Sequence, residues 1–310
     1  MASWVGGARA AVGLARLVAV HPAVAGGRGR AALRILGWQW GKRRGARRAR
    51  VRVGPLQLFC YPGSAPGSAA LYVGLPEWDD MQFVLRYLRA GEHFVDVGAN
   101  IGSYTLLAAG CLEGVQVTAV EPDAAARAQL LENLDLNGVT SVTVVAAALG
   151  ARVGSVAFTM GRDSLNRIAT GSDREVVQVP MRTLDQLAGD RPATLVKIDV
   201  EGAELEVLRG AERTLAQNPP PAILFELNHS CEAFGSSPQA IGAFLAANGY
   251  RLFEFDAAAG ALQPFVPDHY PERGNILALK DPPGALRRVR EPRDLPLTRP
   301  PIEVSFTLER

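Results

Sequence analysis

Carboxylates and glycines follow two predicted strands at a spacing that suits a nucleoside ligand. Asp96 lies near the end of the first strand, and the turn Gly98–Gly102 leads from this strand into a predicted helix. Glycines let a ligand approach the main chain closely, and the free N–H groups at a helix start favour an anionic group. Glu121 follows Gly98 by 23 residues, at the end of the next strand. A carboxylate there can accept hydrogen bonds from both ribose hydroxyls.

The turn differs from a dinucleotide-binding turn. The pattern G-x-G-x-x-G has a middle glycine that lets the backbone approach a pyrophosphate, and Gly98–Gly102 lacks it. Asp96 would repel phosphates but can anchor an ammonium. S-adenosylmethionine has an ammonium, a carboxylate and a ribose but no phosphate, so these residues favour it over NAD. A P-loop is excluded because G-x-x-x-x-G-K-[ST] does not occur.

Four blocks of sequence resemble the FkbM family of S-adenosylmethionine-dependent methyltransferases. They are VDVGANIGSYT, AVEPD, LVKIDVEGAELEVLRGA and ILFELN, in this order within residues 70–280. The resemblance implies an α/β fold of the Class I methyltransferase type, with a Rossmann-like, doubly wound, mostly parallel seven-stranded sheet. It also implies methyl transfer, commonly to a hydroxyl oxygen of a natural product or sugar.

The resemblance also assigns cofactor roles to residues of this chain. It implies that Asp96 and the turn, with Gly98, Asn100 and Gly102, hold the methionine part of the cofactor, and that Glu121 binds the ribose. Ala147 lies in the stretch expected beside the adenine. The preceding residue departs from the family, where Asn is frequent, because this chain has alanine there.

Three residues are candidates for a general base. Asp199 ends the fourth core strand, Glu201 lies in the following turn, and His229 follows the fifth strand. The carboxyl edge of a doubly wound sheet binds ligands, and a hydroxyl acceptor benefits from a base that takes its proton. Other roles remain open: Asp199 can cap the next helix, and a lone histidine is more often a hydrogen-bonded loop residue.

The elements that position these residues alternate along the chain. Short apolar runs separated by helical stretches predict parallel strands joined by helices. The predicted strands are His93–Val97, Val115–Val120, Val142–Val145, Thr194–Ile198, Ala222–Leu227, Arg251–Phe255 and Asn275–Leu279. Two further runs, Ser155–Met160 and Val176–Pro180, predict an inserted hairpin.

The flanking segments are less regular. We expect a basic extension over residues 1–50 and a pre-core segment over 51–90, with strands at Val51–Tyr61 and Ala69–Val73 and a helix from about Glu77 to Arg89. Residues 91–280 form the predicted methyltransferase domain. Six prolines after residue 280 predict an irregular tail over 281–310.

Composition limits the class of protein. With 310 residues, 48% hydrophobic and 21% charged, the chain can bury a core, which excludes a disordered protein. Three distant cysteines and four scattered histidines match no ligand spacing, so we expect no metal site and a reducing, cytoplasmic location.

Charge is distributed unevenly. Residues 1–52 contain eleven Arg and one Lys but no acid, so the remaining 258 residues carry a net charge of −10. The basic arm predicts either a solvated extension or peripheral contact with anionic lipid. Arg16, His21 and Pro22 interrupt the apolar stretch 10–26, which excludes a membrane-spanning helix there. We expect a small-molecule acceptor: a sugar, a polyketide or a lipid headgroup.

Two other function classes stay open on the sequence alone. A methyltransferase fold can serve as a non-catalytic binding or scaffold protein, because fold does not fix function. An RNA methyltransferase would use the basic arm, but the acidic core lacks an Arg-rich face with interleaved aromatic residues. The Asn/Asp-Pro-Pro-aromatic signature of base-nitrogen methylases is also absent after the fourth strand, which continues Asp199-Val200-Glu201-Gly202. Nucleic acid is therefore disfavoured as a partner.

Overall fold

The computed structural model describes residues 13–310 except 15, 172, 188–190 and 268–273. The described residues form two compact units, one reaching Trp78 and including Asp294–Arg310, the other comprising Asp79–Arg293. In the part of the chain that is described, no helix has the length and apolar character needed to cross a membrane. The sequence predicts four segments with different roles: 1–50, 51–90, 91–280 and 281–310. The two compact units do not test these roles, so that division stays a prediction.

Fourteen strands and ten α-helices have both of their ends within the described residues. The strands are β1 (Arg48–Val53), β2 (Leu56–Cys60), β3 (His93–Val97), β4 (Gln116–Val120), β5 (Val142–Val145), β6 (Ala148–Leu149), β7 (Gly154–Thr159), β8 (Val176–Arg182), β9 (Leu195–Ile198), β10 (Ala222–Leu227), β11 (Arg251–Asp256), β12 (Ala261–Pro264), β13 (Gly274–Leu279) and β14 (Val304–Glu309). The helices are α1 (Arg28–Arg43), α2 (Ala65–Val73), α3 (Trp78–Tyr87), α4 (Ser103–Cys111), α5 (Ala124–Leu136), α6 (Leu184–Leu187), α7 (Glu204–Arg209), α8 (Glu212–Gln217), α9 (Pro238–Ala247) and α10 (Pro282–Arg290).

The second unit is built on an eight-stranded sheet in the order β12-β11-β13-β10-β9-β3-β4-β5. The five strands from β5 to β10 in this order are parallel, and β13, β11 and β12 add antiparallel pairs. All seven predicted strands are present, with β12 as an eighth at the edge, and the predicted α/β class is confirmed. The order in which the chain adds strands to the sheet reverses between β3 and β9. A crevice is therefore expected at the carboxyl ends of these two strands.

The two central strands, β3 and β9, are buried along their whole length. Val95, Val97, Val196 and Ile198 belong to the apolar core of the unit, as expected for strands covered on both faces. Polar residues within such strands therefore need specific partners or a ligand.

The predicted insertion hairpin is confirmed. Strand β7 pairs with β8 in antiparallel register, with Gly154 opposite Met181 and Thr159 opposite Val176. The short strand β6 pairs with β8 in parallel, which extends this hairpin into a separate three-stranded sheet.

In the first unit, β1 lies between β14 and β2 in a three-stranded antiparallel sheet. The strand predicted at Ala69–Val73 is wrong, because these residues end helix α2. Ser64 caps the start of that helix by accepting a hydrogen bond from the Gly67 N–H, and Gly74, with φ +83°, ends it. Cap residues at both ends thus outweigh the β-type composition of this run.

Within the described residues, the segments that flank the main sheet contain more regular structure than predicted. The run predicted as one strand over Val51–Tyr61 is a hairpin of β1 and β2, turning at Gly54 with φ +53°. Within the described part of the basic extension, helix α1 buries Ala31 and Trp38. The tail predicted to be irregular contains α10 and β14. Two of its prolines begin α10, where the missing N–H costs nothing.

Candidate active site

Asp96 lies at the carboxyl end of β3 and is 1% exposed. Its Oδ2 accepts a hydrogen bond from Thr105 Oγ1 on α4 at 2.6 Å, whereas its buried Oδ1 has no partner within the protein. Burial raises the pKa of Asp96, although the charge of Lys197 and the Thr105 hydrogen bond oppose the shift. A buried carboxylate oxygen without a donor is a place for a ligand's ammonium.

The turn between β3 and α4 has three residues with positive φ: Gly98 at +80°, Asn100 at +50° and Gly102 at +91°. A Cβ at Gly98 would lie 1.8 Å from the carbonyl oxygen of Asp199, and one at Gly102 would lie 2.4 Å from Leu130. These close contacts within the protein require glycine at both positions, independently of any ligand. The turn is thereby held against the end of β9.

Glu121 follows β4 and is 5% exposed. Its Oε2 accepts the Asn100 N–H and its Oε1 accepts the Asp123 N–H, both at 2.8 Å. Burial raises its pKa to about 7. Each carboxylate oxygen can accept a further hydrogen bond, so two hydroxyl donors of a diol fit this side chain.

Ala147 is fully buried between β5 and β6, and its N–H donates to the Val145 carbonyl at 3.1 Å. Its placement beside an adenine stays a prediction.

The sequence did not single out Asn166, which contacts the loop after β4. Asn166, in the hairpin segment, donates to Asp123 Oδ2 at 2.8 Å. Because Asp123 also caps α5, the hairpin is tied to the loop that carries Glu121.

Lys197 is a second buried charge that sequence reasoning missed. It is 2% exposed on β9, its ammonium lies 2.8 Å from Asp199 Oδ2, and it lies 4.6 Å from the centre of the Tyr104 ring. Tyr104, which can in principle face a ligand cation, thus faces this lysine. A signal for Lys197 was its charge in an otherwise apolar buried strand.

Three carboxylates converge at the ends of β9 and β10. One oxygen each from Asp199, Glu201 and Glu226 lies within 4.8 Å of the others. Such oxygens can take up a proton or, as hard donors, a divalent cation, and Lys197 compensates the charge of Asp199. The structure therefore brings together two of the three predicted base candidates and adds Glu226, which the sequence did not identify.

Glu226 lies in a buried and negatively charged environment. Burial, followed by the negative charges of Asp199, Glu201 and Glu204, raises its pKa to about 8. Its Oε2 is buried and has no hydrogen-bond partner. Nearby Asn228 is 5% exposed, accepts the Ser230 N–H through Oδ1, and has an unpartnered Nδ2.

The loop after β9 is shaped by tight backbone contacts. Glu201 adopts φ +54° and Gly202 φ +110°, and a Cβ at Gly202 would lie 2.5 Å from the Ser230 carbonyl oxygen. Glu204, 2% exposed, accepts the Gly202 N–H at 3.0 Å. Glu204 thus positions the loop, and the left-handed backbone of Glu201 holds a strained conformation of the kind that occurs at functional sites.

His229 lies apart from this cluster, on a 3₁₀ helix over His229–Phe234. Its side chain is 63% exposed and its Nδ1 lies 2.7 Å from Glu232 Oε1. The structure places it outside the carboxylate trio, and its assignment as a base stays a prediction.

A cavity of about 1080 Å³ lies away from the carboxylate cluster. It is lined in part by His93 and Ala193, which are at or before the starts of their strands.

The residues at the carboxyl edge of β3 and β4 fit S-adenosylmethionine. The buried, unpartnered Asp96 Oδ1 is an acceptor that suits an ammonium. The oxygens of Glu121 suit two ribose hydroxyls, and the neighbouring turn holds Asn100 in a left-handed backbone conformation. Both roles stay predictions. No phosphate-binding group is needed for this ligand.

Comparison with known proteins agrees with this geometry. A family model described as "Methyltransferase FkbM domain" matches residues 96–252, just over half of the chain. "Methyltransferase 1" of Beauveria bassiana is 29% identical over 143 residues, covering 38% of this chain and 57% of that protein. "Hexuronic acid methyltransferase AglP" of Haloferax volcanii is 29% identical over 147 residues, covering 45% and 58%. The chain thus spans less than two thirds of these curated relatives.

Among solved structures, an rRNA methylase from Streptococcus thermophilus is similar at a TM-score of 0.40 and 13% identity, over 65% of this chain and 93% of that one. The family match begins at Asp96 and includes the turn, Glu121 and the carboxylate cluster. The chain belongs to the FkbM family of methyltransferases.

Proposed function

We propose that this chain is an S-adenosylmethionine-dependent methyltransferase that methylates a hydroxyl oxygen of a small-molecule acceptor. The observation that carries the proposal is the group of carboxylates Asp199, Glu201 and Glu226, whose oxygens lie within 4.8 Å of one another. Asp199 and Glu201 follow β9, the neighbour of the strand that carries Asp96, and Glu226 lies near the end of the next strand, β10. A cofactor site and a proton acceptor therefore share one edge of the sheet.

The cofactor supplies an activated methyl group on a sulfonium, so the protein has mainly to align the acceptor and remove its proton. Asp96 anchors the ammonium and Glu121 the ribose. Glu226 takes the hydroxyl proton, because burial and the neighbouring negative charges raise its pKa to about 8. Asn228, through its unpartnered Nδ2, donates to an acceptor oxygen.

The charge of the cluster favours a neutral reacting group. Three carboxylates face the acceptor side and one lysine compensates them, so a reacting carboxylate would meet like charges. A hydroxyl of a sugar fits this site. The name of the Haloferax volcanii relative, a hexuronic acid methyltransferase, supports a sugar acceptor, and the acidic cluster supports its hydroxyl as the methylated position.

The test incubates the full chain with S-adenosylmethionine and matched acceptors: a hexose, the corresponding hexuronic acid and a phenolic polyketide. Products are detected by a methyl mass increase and by release of S-adenosylhomocysteine. We expect a methyl ether, which survives mild alkali. An alkali-labile methyl ester would show carboxyl methylation and contradict the hydroxyl assignment.

Two controls separate activity from binding. Calorimetric titration with S-adenosylmethionine and with NAD tests the cofactor directly, and we expect binding of the former alone. Cofactor binding without turnover on any acceptor, in the presence of an intact Glu226, would favour a non-catalytic binding protein.

A further inference from the structure

Helix α1 in the first unit carries an exposed apolar stripe. Leu33, Leu36 and Trp40 are 69%, 65% and 54% exposed. Their spacing of i, i+3 and i+7 places them on one side of the helix, which we call the outer face of α1. Exposed large apolar side chains that are contiguous on one element mark an interaction surface more often than isolated ones do.

The opposite side of α1 is fixed by packing within the unit. Ala31 and Trp38 are fully buried. A Cβ at Gly37 would lie 3.0 Å from Phe306, and one at Gly41 would lie 2.8 Å from Leu308, so the helix sits close against β14. The outer face is therefore exposed because the buried side is already occupied, and the helix cannot turn its apolar stripe inward.

Basic side chains flank the outer face. Arg43, Arg44 and Arg47 are exposed at its carboxyl end, and Arg28 and Arg30 at its amino end. The guanidinium of Arg44 lies 3.9 Å from the centre of the Trp40 ring, which joins charge and apolar surface in one contact. The described residues of the first unit contain 13 Lys and Arg against 4 Asp and Glu.

We propose that the outer face of α1 lies on an anionic membrane surface, with Leu33, Leu36 and Trp40 in the interfacial layer and the flanking arginines against lipid phosphates. The charge complementarity selects this occupant. An apolar stripe bordered by arginines matches hydrocarbon below anionic headgroups. The leucines gain nothing from a nucleic-acid backbone, and a second copy of so basic a unit would be repelled.

The proposal concerns the first unit and is independent of the methyl transfer. It develops the basic arm seen in the sequence into a defined surface: a helix lying on the membrane, without a spanning segment among the described residues. Because both attractions act together, loss of either the charge or the stripe should weaken binding.

The test is co-sedimentation of the full chain with vesicles of phosphatidylcholine alone or with 30% phosphatidylserine. We expect binding to the anionic vesicles to be at least about tenfold tighter and to weaken with salt. The double variant Arg43→Gln, Arg44→Gln should weaken it roughly thirtyfold, about fivefold for each charge. Leu36→Gln, Trp40→Gln should weaken it at least about tenfold.

Matched variants in the second unit provide the controls. Leu131 is 51% exposed on α5, and Arg152 and Arg174 are exposed near the hairpin. Leu131→Gln and the pair Arg152→Gln, Arg174→Gln should leave vesicle binding unchanged. All replaced side chains are exposed, so the variants should keep the melting temperature of the parent chain.

Several results would overturn the proposal. Equal affinity for neutral and anionic vesicles would remove the role of charge, and unchanged binding of Leu36→Gln, Trp40→Gln would remove the role of the stripe. Binding of duplex RNA in place of vesicles, lost in the arginine variants, would identify a nucleic-acid surface. A dimer that dissociates in Leu36→Gln, Trp40→Gln, without vesicle binding, would identify a contact between copies.

Discussion

Asp96 and Lys197 are register partners on the adjacent parallel strands β3 and β9, yet the salt bridge of Lys197 is with Asp199, at 2.8 Å. Asp96 is left with one buried oxygen that has no protein partner. Burial raises the pKa of Asp96 and the Lys197 charge lowers it. One lysine thus lies beside a carboxylate of the proposed cofactor site and forms an ion pair with another in the carboxylate cluster.

Replacing Lys197 by Met should destabilise the protein. The change leaves Asp199 without its cation and removes the charge that opposes the raised pKa of Asp96. Losing one partner of a buried pair costs about 3–5 kcal/mol, and we expect about 3 kcal/mol because the Asp199 side chain is 29% exposed. Urea unfolding measures the loss. Lys280→Met, which removes a lysine bound to the Asn248 carbonyl, is the control and should cost less, about 1.5 kcal/mol.

Cofactor affinity should depend on pH through Glu121. Its pKa is raised to about 7, so below that pH the carboxyl group is mostly protonated. Ribose hydroxyls stabilise the ionised form, so binding releases a proton there. Affinity should therefore rise with pH, by up to about tenfold per unit, and level off above about pH 7. Calorimetry from pH 5.5 to 8.5 measures this.

Two variants test the source of this pH dependence. Glu121→Gln should bind S-adenosylmethionine more weakly and with a flat pH profile, because the side chain no longer titrates. Glu113→Gln, at an exposed position, should keep the slope of the parent chain. A slope that persists in Glu121→Gln would assign the titration to another group.

Turnover should depend on a second ionisation. With Glu226 as the base and its pKa at about 8, kcat should rise with pH through about 8, since only the carboxylate accepts the proton. Glu226→Gln should lower kcat by roughly 10²–10⁴-fold while the Kd for the cofactor stays unchanged. Discontinuous activity assays across the pH range measure kcat, and calorimetry measures the Kd for the cofactor, so the two quantities are determined separately.

Variants of the other two base candidates that are tested, Asp199 and His229, should differ in how kcat depends on pH. Asp199→Asn removes a negative charge that raises the pKa of Glu226, so the rising limb should move to lower pH if Glu226 is the base. Loss of activity at every pH in Asp199→Asn, with Glu226→Gln active, would transfer the role to Asp199. His229→Gln should keep the parent profile, because the ring lies outside the cluster.

Local sequence signals predicted the elements that carry the proposed cofactor residues. The turn Gly98–Gly102 and Glu121 are set by elements that are contiguous in sequence, a strand followed by a helix, and the predicted bounds of β3, β5 and β10 match those observed. The parallel sheet then follows from the alternation of strands and helices, so the edge that carries Asp96 could be predicted.

The acceptor half depends on contacts between distant residues. Glu226 faces Asn275 because β10 and β13 are antiparallel with this register, and no local pattern encodes that register. Burial raises the pKa of Glu226 first, and the carboxylates that follow β9 raise it further, so the shift could not be read from its own strand. Likewise, α1 is ordered by packing on β14, which is far away in the chain.

The tight turn at Gly98 should be sensitive to a single methyl group. A Cβ there would lie 1.8 Å from the Asp199 carbonyl oxygen, and φ is +80°. Gly138 provides a matched control, since its φ is +61° and nothing lies within 4 Å of the position that a Cβ would take there. Gly138→Ala should cost only the left-handed strain, about 1–2 kcal/mol. Gly98→Ala should cost more than about 4 kcal/mol, because the backbone of β9 must move, and it should weaken cofactor binding. Equal unfolding free energies for the two variants would show that the turn can move away from Asp199 at little cost.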